Sequence, residues 1–254
     1  MDFTGKRILI TGSSRGIGQA AARVLHEAGA TVAINGRTPD STQVGIAALG
    51  GGDRLVAAPG DVSRVDDCKA MVAHAVEAMG GLDVLVNSAG IGDAAPIEES
   101  TEALWNATID INLKGTFFCS QAAVPHLRSS GGNFVNVASD AGLIGEPGLS
   151  VYGASKGGVV NLPRTFAMEL APVIRCNCVC PGYVDTDMVR RDGIERAEDP
   201  AAAEAALIDY APLKRIAKPD EIGKAIAYLA SDDAVFITGV ALPVDGGTTA
   251  GHGG

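Results

Sequence analysis

Short apolar runs rich in β-branched residues alternate with longer helical patterns from one end of the chain to the other. We predict strands at residues 7–10, 31–34, 54–57, 84–87, 133–138, 174–179 and 240–244. We predict helices at residues 18–28, 65–78, 101–126, 152–169 and 221–230. Most of the strand runs are continuously apolar, which is typical of strands buried on both faces. The pattern therefore predicts an α/β fold: a doubly wound (Rossmann) parallel sheet of seven strands with helices on both faces.

The chain is predicted to form one dinucleotide-binding and catalytic domain over residues 1–254. It is 46% hydrophobic with 33 glycines, and no change in composition marks a linker. Residues 188–213 break the strand–helix alternation, because they are charged, Ala-rich and follow a Pro-Gly turn. Ligands bind beyond the carboxyl ends of strands in such sheets, so we expect this segment to be a lid over the substrate. A surface insertion without a gating role is the alternative. Residues 251–254 are expected to be a mobile tail.

The formal net charge of -10 argues against nucleic acid as a partner, because phosphate binding needs clustered lysines and arginines. No apolar run is long enough to span a bilayer and the N-terminus does not resemble a secretory signal, so we expect a cytoplasmic protein. The five cysteines are expected to be reduced there. Cys176, Cys178 and Cys180 would share one face of a strand. No second cluster with zinc-like spacing accompanies them, so we predict buried apolar side chains and no metal site.

A glycine-rich turn, TGSSRGIG at residues 11–18, follows the first predicted strand and leads into a helix. Glycine lets the backbone turn tightly and approach a pyrophosphate, and the start of a helix offers unpaired N–H groups. The spacing G-x-x-x-G-x-G differs from the G-x-G-x-x-G dinucleotide fingerprint. The candidate contacts to a dinucleotide in this turn are Gly12, Ser14, Arg15, Gly16, Ile17 and Gly18.

The end of the second predicted strand bears on the choice between NADP(H) and NAD(H). An NAD site usually offers an acid there to the ribose 2′-OH, but the residues are Asn35-Gly36-Arg37. The guanidinium groups of Arg37 and Arg15 suit a 2′-phosphate. We therefore predict NADP(H) in preference to NAD(H). The alternative for Arg37 is a solvated loop residue.

Further polar residues follow the third and fourth predicted strands. We expect Asp61 to accept a hydrogen bond from the adenine amino group, and Gly90 to let the backbone pass close to a ribose. Turn formation is the alternative role for such residues. The candidate cofactor contacts at these two strand ends are Asp61, Val62, Asn87, Ala89 and Gly90.

A second group of residues suits proton transfer. Tyr152 and Lys156 are one helical turn apart and share a face. A free tyrosine has a pKa of about 10, and a neighbouring ammonium or an oxidised nicotinamide favours the phenolate, so we expect a lowered pKa. Ser139 ends the fifth strand, where it can donate to a substrate carbonyl oxygen. Asn112 is expected to hold a water that relays protons to Lys156.

Together these motifs resemble the short-chain dehydrogenase/reductase family over nearly the whole chain. The resemblance implies that Tyr152 is the general acid–base, that Ser139 orients the substrate oxygen, and that Lys156 lowers the tyrosine pKa and holds the ribose. Asn112 would complete a catalytic tetrad. One departure is Ser88, which stands where the family usually has a second Asn. The matching segments are TGSSRGIG, DV at 61–62, NSAG, INLKGTFF, VASDAG, YGASK, PGYVDT and VDGG.

The resemblance further implies a homotetramer or a dimer built on the two long helices and the C-terminal strand. It adds cofactor contacts from Tyr152, Lys156, Pro181, Gly182, Val184 and Thr186.

We therefore expect an NADP(H)-dependent oxidoreductase that transfers a hydride between the nicotinamide and a carbonyl or secondary alcohol. The sequence leaves the small-molecule substrate open among 3-oxoacyl thioesters, sugars, steroids and small ketones. The alternative from another class is a catalytically silent nucleotide-binding regulator or scaffold with the same fold. The candidate tetrad argues against it, because a pure binder needs no acid–base phenol.

Overall fold

Seven strands form one parallel sheet in a computed structural model that describes residues 1–251. The strands are β1 Arg7–Thr11, β2 Thr31–Ile34, β3 Leu55–Ala57, β4 Val84–Asn87, β5 Asn133–Val137, β6 Arg175–Pro181 and β7 Ala241–Val244. The strand order is β3-β2-β1-β4-β5-β6-β7, so the predicted seven-stranded doubly wound sheet is confirmed. The predicted strand ends agree with the structure to within two residues. The predicted tail at 251–254 lies, apart from Gly251, outside the described residues.

Helices cover both faces of this sheet. Three of them, at Pro39–Ala48, Asp187–Arg190 and Pro200–Tyr210, were not predicted. The start signal of the first is clear in retrospect. Thr38 accepts a hydrogen bond from the Ser41 N–H at 3.2 Å, and Pro39 fills the first helical position. The helices are α1 Gly16–Glu27, α2 Pro39–Ala48, α3 Val65–Met79, α4 Glu102–Ile109, α5 Gly115–Ser130, α6 Ser150–Leu170, α7 Asp187–Arg190, α8 Pro200–Tyr210 and α9 Pro219–Ala230.

The predicted helix at 101–126 contains an irregularity that its sequence pattern did not indicate. A π-helical turn, Asp110–Lys114, joins α4 to α5 without a break in the helical backbone. Such turns place one extra residue in a helix and frequently occur at functional sites. The turn contains Asn112, one of the candidate site residues, and buries it.

The core has two layers because successive strand residues point to opposite faces of the sheet. Ile8 and Ile10 pack in a cluster with residues of α1 and α9, while Leu9 packs with residues of α3 and α5. The three cysteines of β6 are fully buried in apolar clusters, as predicted. Within residues 1–251, no three His, Cys, Asp or Glu side chains come together as metal ligands would.

The sheet topology positions a crevice for a ligand. The strand order runs outward in one direction from β1 to β3 and in the other from β4 to β7, so it reverses between β1 and β4. In open α/β sheets, ligands bind beyond the carboxyl ends of the strands at such a reversal. Across residues 1–251, no helix has the length and apolar character needed to cross a bilayer.

Candidate active site

The turn after β1 touches the loop after β4, and this contact requires glycine. Gly12 has a φ of +63°, and a Cβ added there would lie 2.6 Å from the Cα of Ala89. The hydroxyl oxygen of Thr11 accepts hydrogen bonds from the backbone N–H groups of Ser88 and Ala89, at 3.1 and 3.2 Å. The two segments therefore form one wall of the crevice, and the serine at position 88 leaves these backbone contacts intact.

The start of α1 keeps its N–H groups available to an anion. Arg15 precedes the helix in an extended conformation, no side chain caps it, and its first turn contains no acid. Gly16 has a φ of +60°, and a Cβ there would lie 3.6 Å from the side chain of Thr186. The glycine turn and the segment after β6 therefore approach each other, as expected for two parts of one cofactor site. The side chain of Ile17 packs against the core.

Asn35, at the end of β2, is a site residue whose role the sequence analysis missed. Its side-chain oxygen accepts from the Gly12 N–H at 2.9 Å, and its amide nitrogen donates to the carbonyls of Ala58 and Gly60. The side chain is only 2% exposed. Asn35 therefore joins three strand ends from within and does not face a ligand. Its polar character at a strand end was the available signal.

The two candidate arginines have different surroundings. Arg37 is exposed, and the ion pairs formed among residues 1–251 do not include it. Arg15 instead has Nη1 at 3.8 Å from a carboxylate oxygen of Asp187, the first residue of α7. Arg37 is thus the better placed of the two to bind a phosphate group that lies outside the glycine-rich turn.

The residues that follow β3, and the last residue of β4, are partly engaged within the protein. One carboxylate oxygen of Asp61 accepts from the Ser63 N–H and hydroxyl, at 2.9 and 2.7 Å. Val62 is buried. The Asn87 amide donates to Ser120 and Asn136, each at 2.9 Å, and its residue is 3% exposed. The side chain of Asn87 therefore joins β4 to β5 and α5 and points away from the crevice.

Asn112 fastens the loop after β4 to α6. Its side-chain oxygen accepts from the Ile91 N–H at 2.9 Å, and its amide nitrogen donates to the Ile91 carbonyl and to Ser155, at 2.9 and 3.0 Å. The residue is 1% exposed. Both amide hydrogens are therefore used within the protein, and a water held by Asn112 stays a prediction.

Tyr152 and Lys156 lie together, as their spacing indicates. The Lys156 Nζ is 5.7 Å from the centre of the Tyr152 ring and donates to the Val137 carbonyl at 2.9 Å. A Cβ added to Gly90 would lie 3.4 Å from the same Nζ and 3.3 Å from Asn112. Glycine at position 90 therefore lets the backbone pass between the lysine and Asn112.

The protein groups alone do not lower the phenol pKa, contrary to the expectation from sequence. Burial raises the pKa of Tyr152 to about 12; the Ser139 hydroxyl opposes this shift, and the charges of Asp140 and Glu146 add to it. Burial also lowers the pKa of Lys156 to about 8. Loss of water around the phenolate is therefore the largest influence of the protein on this phenol.

The segment after β6 supplies the remaining predicted contacts. Pro181 is the last residue of β6, and Val184 is buried at 3% exposure. The Thr186 hydroxyl donates to the Val184 carbonyl at 3.3 Å. A Cβ on Gly182 would lie 3.2 Å from a carboxylate oxygen of Asp140. The path of this segment therefore brings Gly182 against the residue that follows Ser139.

Two acids in the site were not singled out from the sequence. The Ser139 hydroxyl donates to Asp140 at 3.0 Å, and burial, with the nearby charge of Glu146, raises the pKa of Asp140 to about 6. Glu146 accepts from the hydroxyls of Tyr183 and Tyr210, at 3.3 and 3.4 Å. The position of Asp140, directly after the candidate serine, was the signal for its role.

Residues of the predicted lid range, 188–213, lie close to these groups. A Cβ on Gly92 would lie 2.9 Å from the Met188 sulfur and 3.5 Å from the Tyr152 ring, so α7 is near the phenol. Arg190 of α7 is paired with Glu204 of α8. Tyr210, at the end of α8, packs edge-on against Tyr183 with ring centres 5.8 Å apart. The segment therefore contacts the site at both of its helices.

These features together fit a dinucleotide. The glycines leave open backbone where side chains would collide, the start of α1 is uncapped, and Arg37 is exposed without an ion pair in the described part of the chain. Lys156 and Gly90 lie between this cradle and Tyr152. An arrangement of this kind suits hydride transfer at a carbon whose oxygen is held by Tyr152 and Ser139.

Comparison with known proteins agrees with this chemistry. A family model described as enoyl-(acyl carrier protein) reductase matches residues 12–249. The chain is 40% identical to a cis-4-hydroxycyclohexanecarboxylate dehydrogenase of Sinomonas cyclohexanicum, over 98% of each chain. It is 37% identical to a meso-2,3-butanediol dehydrogenase of Serratia marcescens, over 100% of this chain and 98% of the relative. A solved short-chain dehydrogenase/reductase, glucose/ribitol dehydrogenase, from Brucella melitensis superposes with a TM-score of 0.89 at 36% identity, covering 98% of this chain and 99% of the other.

Proposed function

This chain belongs to the short-chain dehydrogenase/reductase family, and we propose that it is an NADP(H)-dependent oxidoreductase acting on a secondary alcohol and its carbonyl counterpart. The observation that carries the proposal is the placement of Lys156 beside Gly90, with its Nζ 5.7 Å from the centre of the Tyr152 ring, at the carboxyl edge of the sheet. Ser139 lies two residues after the end of β5 and completes the group. A protein that only bound nucleotides would have no use for a phenol and an ammonium held together in this position.

In the proposed mechanism, Tyr152 transfers the proton. A bound nicotinamide supplies the hydride in the reducing direction and accepts it in the oxidising direction. Tyr152 gives its proton to the substrate oxygen in reduction and takes it back in oxidation. Ser139 holds the same oxygen by a hydrogen bond. Lys156, already bonded to the Val137 carbonyl, contributes positive charge near the phenolate and holds the cofactor ribose.

The preference for NADP(H) rests on the end of β2. Gly36 is buried, and a Cβ there would lie 2.5 Å from the Ser41 hydroxyl, so the acid expected of an NAD site has no room at that position. Arg37 follows it and is exposed. A guanidinium there suits the 2′-phosphate of NADP(H).

The substrate proposal is a small secondary alcohol or diol. The relatives named above act on a hydroxylated cyclohexane carboxylate and on a butanediol. We propose that residues 188–213 form a lid over this substrate. Its support is the contact of α7 with the region of Tyr152 and of Tyr210 with Glu146.

We also propose a homotetramer or dimer in the cytoplasm. Phe117 of α5 and Met168 of α6 are 37% and 86% exposed, and Phe236, shortly before β7, is fully exposed. Large apolar side chains at these positions support pairing through the two long helices and the C-terminal strand. The five cysteines are free, which suits a reducing compartment. Light scattering on the purified protein measures its oligomeric state, and a monomer would contradict the proposed homotetramer or dimer.

The test is a panel of carbonyl compounds and alcohols with NADPH, NADH and their oxidised forms, followed by the absorbance of the reduced nicotinamide. Acetoin and meso-2,3-butanediol, cyclohexanone and cyclohexanol, sugars and 3-oxoacyl thioesters cover the substrate classes. We expect turnover of at least one pair with NADP(H). Binding of NADPH without turnover of any pair would instead identify a silent nucleotide-binding protein.

A further inference from the structure

Asp140 holds the hydroxyl that the proposed mechanism needs. The Ser139 hydroxyl donates to the Asp140 Oδ1 at 3.0 Å. The Ala141 N–H donates to the same Oδ1 at 2.9 Å and to the Ser139 oxygen at 3.2 Å. This backbone donor holds both side chains in one orientation. The single hydroxyl hydrogen of Ser139 therefore points to Asp140 in this arrangement.

The second carboxyl oxygen of Asp140 has no hydrogen-bond partner. Asp140 is 4% exposed, and its Oδ2 is buried without a donor among residues 1–251. This oxygen faces Gly182, where an added Cβ would lie 3.2 Å away. A buried carboxylate oxygen without a donor is costly, because its charge loses the hydration that it has in water. The site therefore favours a proton on Asp140 more than water does.

The direction of the Ser139 hydroxyl decides whether the serine can donate to a substrate oxygen. A ketone oxygen only accepts, so Ser139 must donate its single hydrogen to it. In the proposed oxidation the alcohol gives its single hydrogen to Tyr152, so its oxygen also accepts from Ser139. A hydrogen bond to a carboxylate is stronger than one to a neutral carboxyl group. The charge of Asp140 therefore competes with the substrate oxygen for the hydrogen of Ser139.

We propose that Asp140 is a positioning residue that sets the direction of the Ser139 hydroxyl, so that its ionised form weakens the hydrogen bond from Ser139 to the substrate oxygen and its neutral form strengthens that bond. The proposal rests on the proposed oxidoreductase function and adds to it a dependence of substrate binding on the ionisation of Asp140. Asp140 itself acts only through Ser139.

The surroundings of Asp140 place its ionisation in an accessible pH range. Burial is the main cause that raises its pKa to about 6, and the charges of Glu146 and Asp245 act in the same direction. The hydrogen bonds from Ser139 and Ala141 oppose the shift. The titratable groups that interact with Asp140 from the neighbouring elements are Glu146, Tyr152, Cys180, Tyr183, Tyr210 and Asp245.

The experiment measures KM for both partners of one reaction between pH 5 and pH 8, with acetoin and meso-2,3-butanediol as the first pair. In the wild type we expect the KM of the ketone and that of the alcohol both to rise through about pH 6. In Asp140→Asn, the Ala141 N–H keeps the side-chain oxygen in place and no charge develops. At pH 8 we expect its ketone KM to be roughly tenfold lower than that of the wild type and independent of pH.

Glu146→Gln is the matched control, because it removes a nearby carboxyl group that has no hydrogen bond to Ser139. Its ketone KM should keep the pH dependence, with the inflection moved to lower pH, since the charge of Glu146 raises the pKa of Asp140. An unmoved inflection in Glu146→Gln would overturn the proposal even if Asp140→Asn did not fold.

The failures of the two proposals are distinguishable. A wild type that turns over no pair in the panel defeats the oxidoreductase function itself. A wild type that is active while Asp140→Asn keeps the wild-type pH dependence of the ketone KM defeats only the role of Asp140. Equal loss of activity toward ketone and alcohol, with the pH profile unchanged, would identify Asp140 as merely structural.

Discussion

The Lys156 ammonium nitrogen lies 5.7 Å from the centre of the Tyr152 ring. The pair is thus assembled by the protein, but burial still raises the pKa of the phenol to about 12. Lys156 is itself held by the Val137 carbonyl, and burial lowers its pKa to about 8. Within the proposed mechanism, the positive charge of an oxidised nicotinamide is the remaining source of a lower phenol pKa.

Replacing Tyr152 with Phe should remove turnover and leave cofactor binding nearly unchanged. The ring keeps its packing, but no proton can be exchanged with the substrate oxygen, so we expect kcat to fall by roughly 10²- to 10⁴-fold. Steady-state kinetics and NADPH titration of the variant measure the two effects. A variant with substantial activity would show that another group transfers the proton.

Cofactor affinity should decrease as pH rises through about 8, where Lys156 loses its proton. The ammonium is present below that pH and attracts the bound nucleotide, so the Kd of NADPH should rise roughly tenfold toward pH 9.5. Lys156→Met should bind weakly at every pH, and Lys69→Met, an exposed lysine, is the control. Isothermal titration measures Kd, and parallel profiles for Lys156→Met and the wild type would contradict the ribose-holding role.

Removing the guanidinium of Arg37 should weaken NADPH binding selectively. Loss of a charge-assisted contact to the 2′-phosphate should raise the Kd of NADPH roughly ten- to hundredfold in Arg37→Ala and leave that of NADH unchanged. Arg128→Ala removes another exposed arginine and is the control for net charge. If the wild type bound NADH more tightly than NADPH, the cofactor preference would be wrong.

Gly12→Ala should destabilise the protein more than Gly5→Ala does. Both glycines have left-handed φ values, +63° and +78°, so each alanine costs about 1–2 kcal/mol of backbone strain. Only at Gly12 does the new Cβ also meet backbone, 2.6 Å from the Cα of Ala89. Urea unfolding should show the greater loss of stability in Gly12→Ala. NADPH titration should show a loss of affinity in Gly12→Ala alone. Equal effects in the two variants would mean that the contact with Ala89 relaxes freely.

Asp140 should make the folding stability depend on pH. Its pKa is about 6 in the folded protein and 3.8 ordinarily, so the folded state binds the proton more tightly than the unfolded chain. Stability is therefore lost as pH rises from about 4 to about 6, by at most about 3 kcal/mol, and stays level above that. Relative to Asp140→Asn, the wild type should lose this amount between pH 4 and pH 7 in urea unfolding. A constant difference between the two proteins would rule out the raised pKa.

The strands and the cofactor turn could be predicted from the sequence because their signals are local. Residues 84–86, for example, are all apolar, and all four residues of β4 are buried in the sheet. The turn at Gly12 and Gly16 requires left-handed backbone that glycine adopts readily. Tyr152 and Lys156 share a helical face by their spacing alone. These features depend on neighbours a few residues away, which the sequence displays directly.

The tertiary structure decided where the polar side chains point and how readily they ionise. The Asn87 side chain bonds to Ser120 inside the protein, and Asn112 connects a loop to α6. Asp140 accepts the hydrogen bond that Ser139 donates. The phenol pKa of Tyr152 rises because the fold removes its water. Hydrogen-bond partners and burial come from segments distant in the chain, and electrostatic energies depend steeply on those distances and on access to water. No local pattern of residues records them.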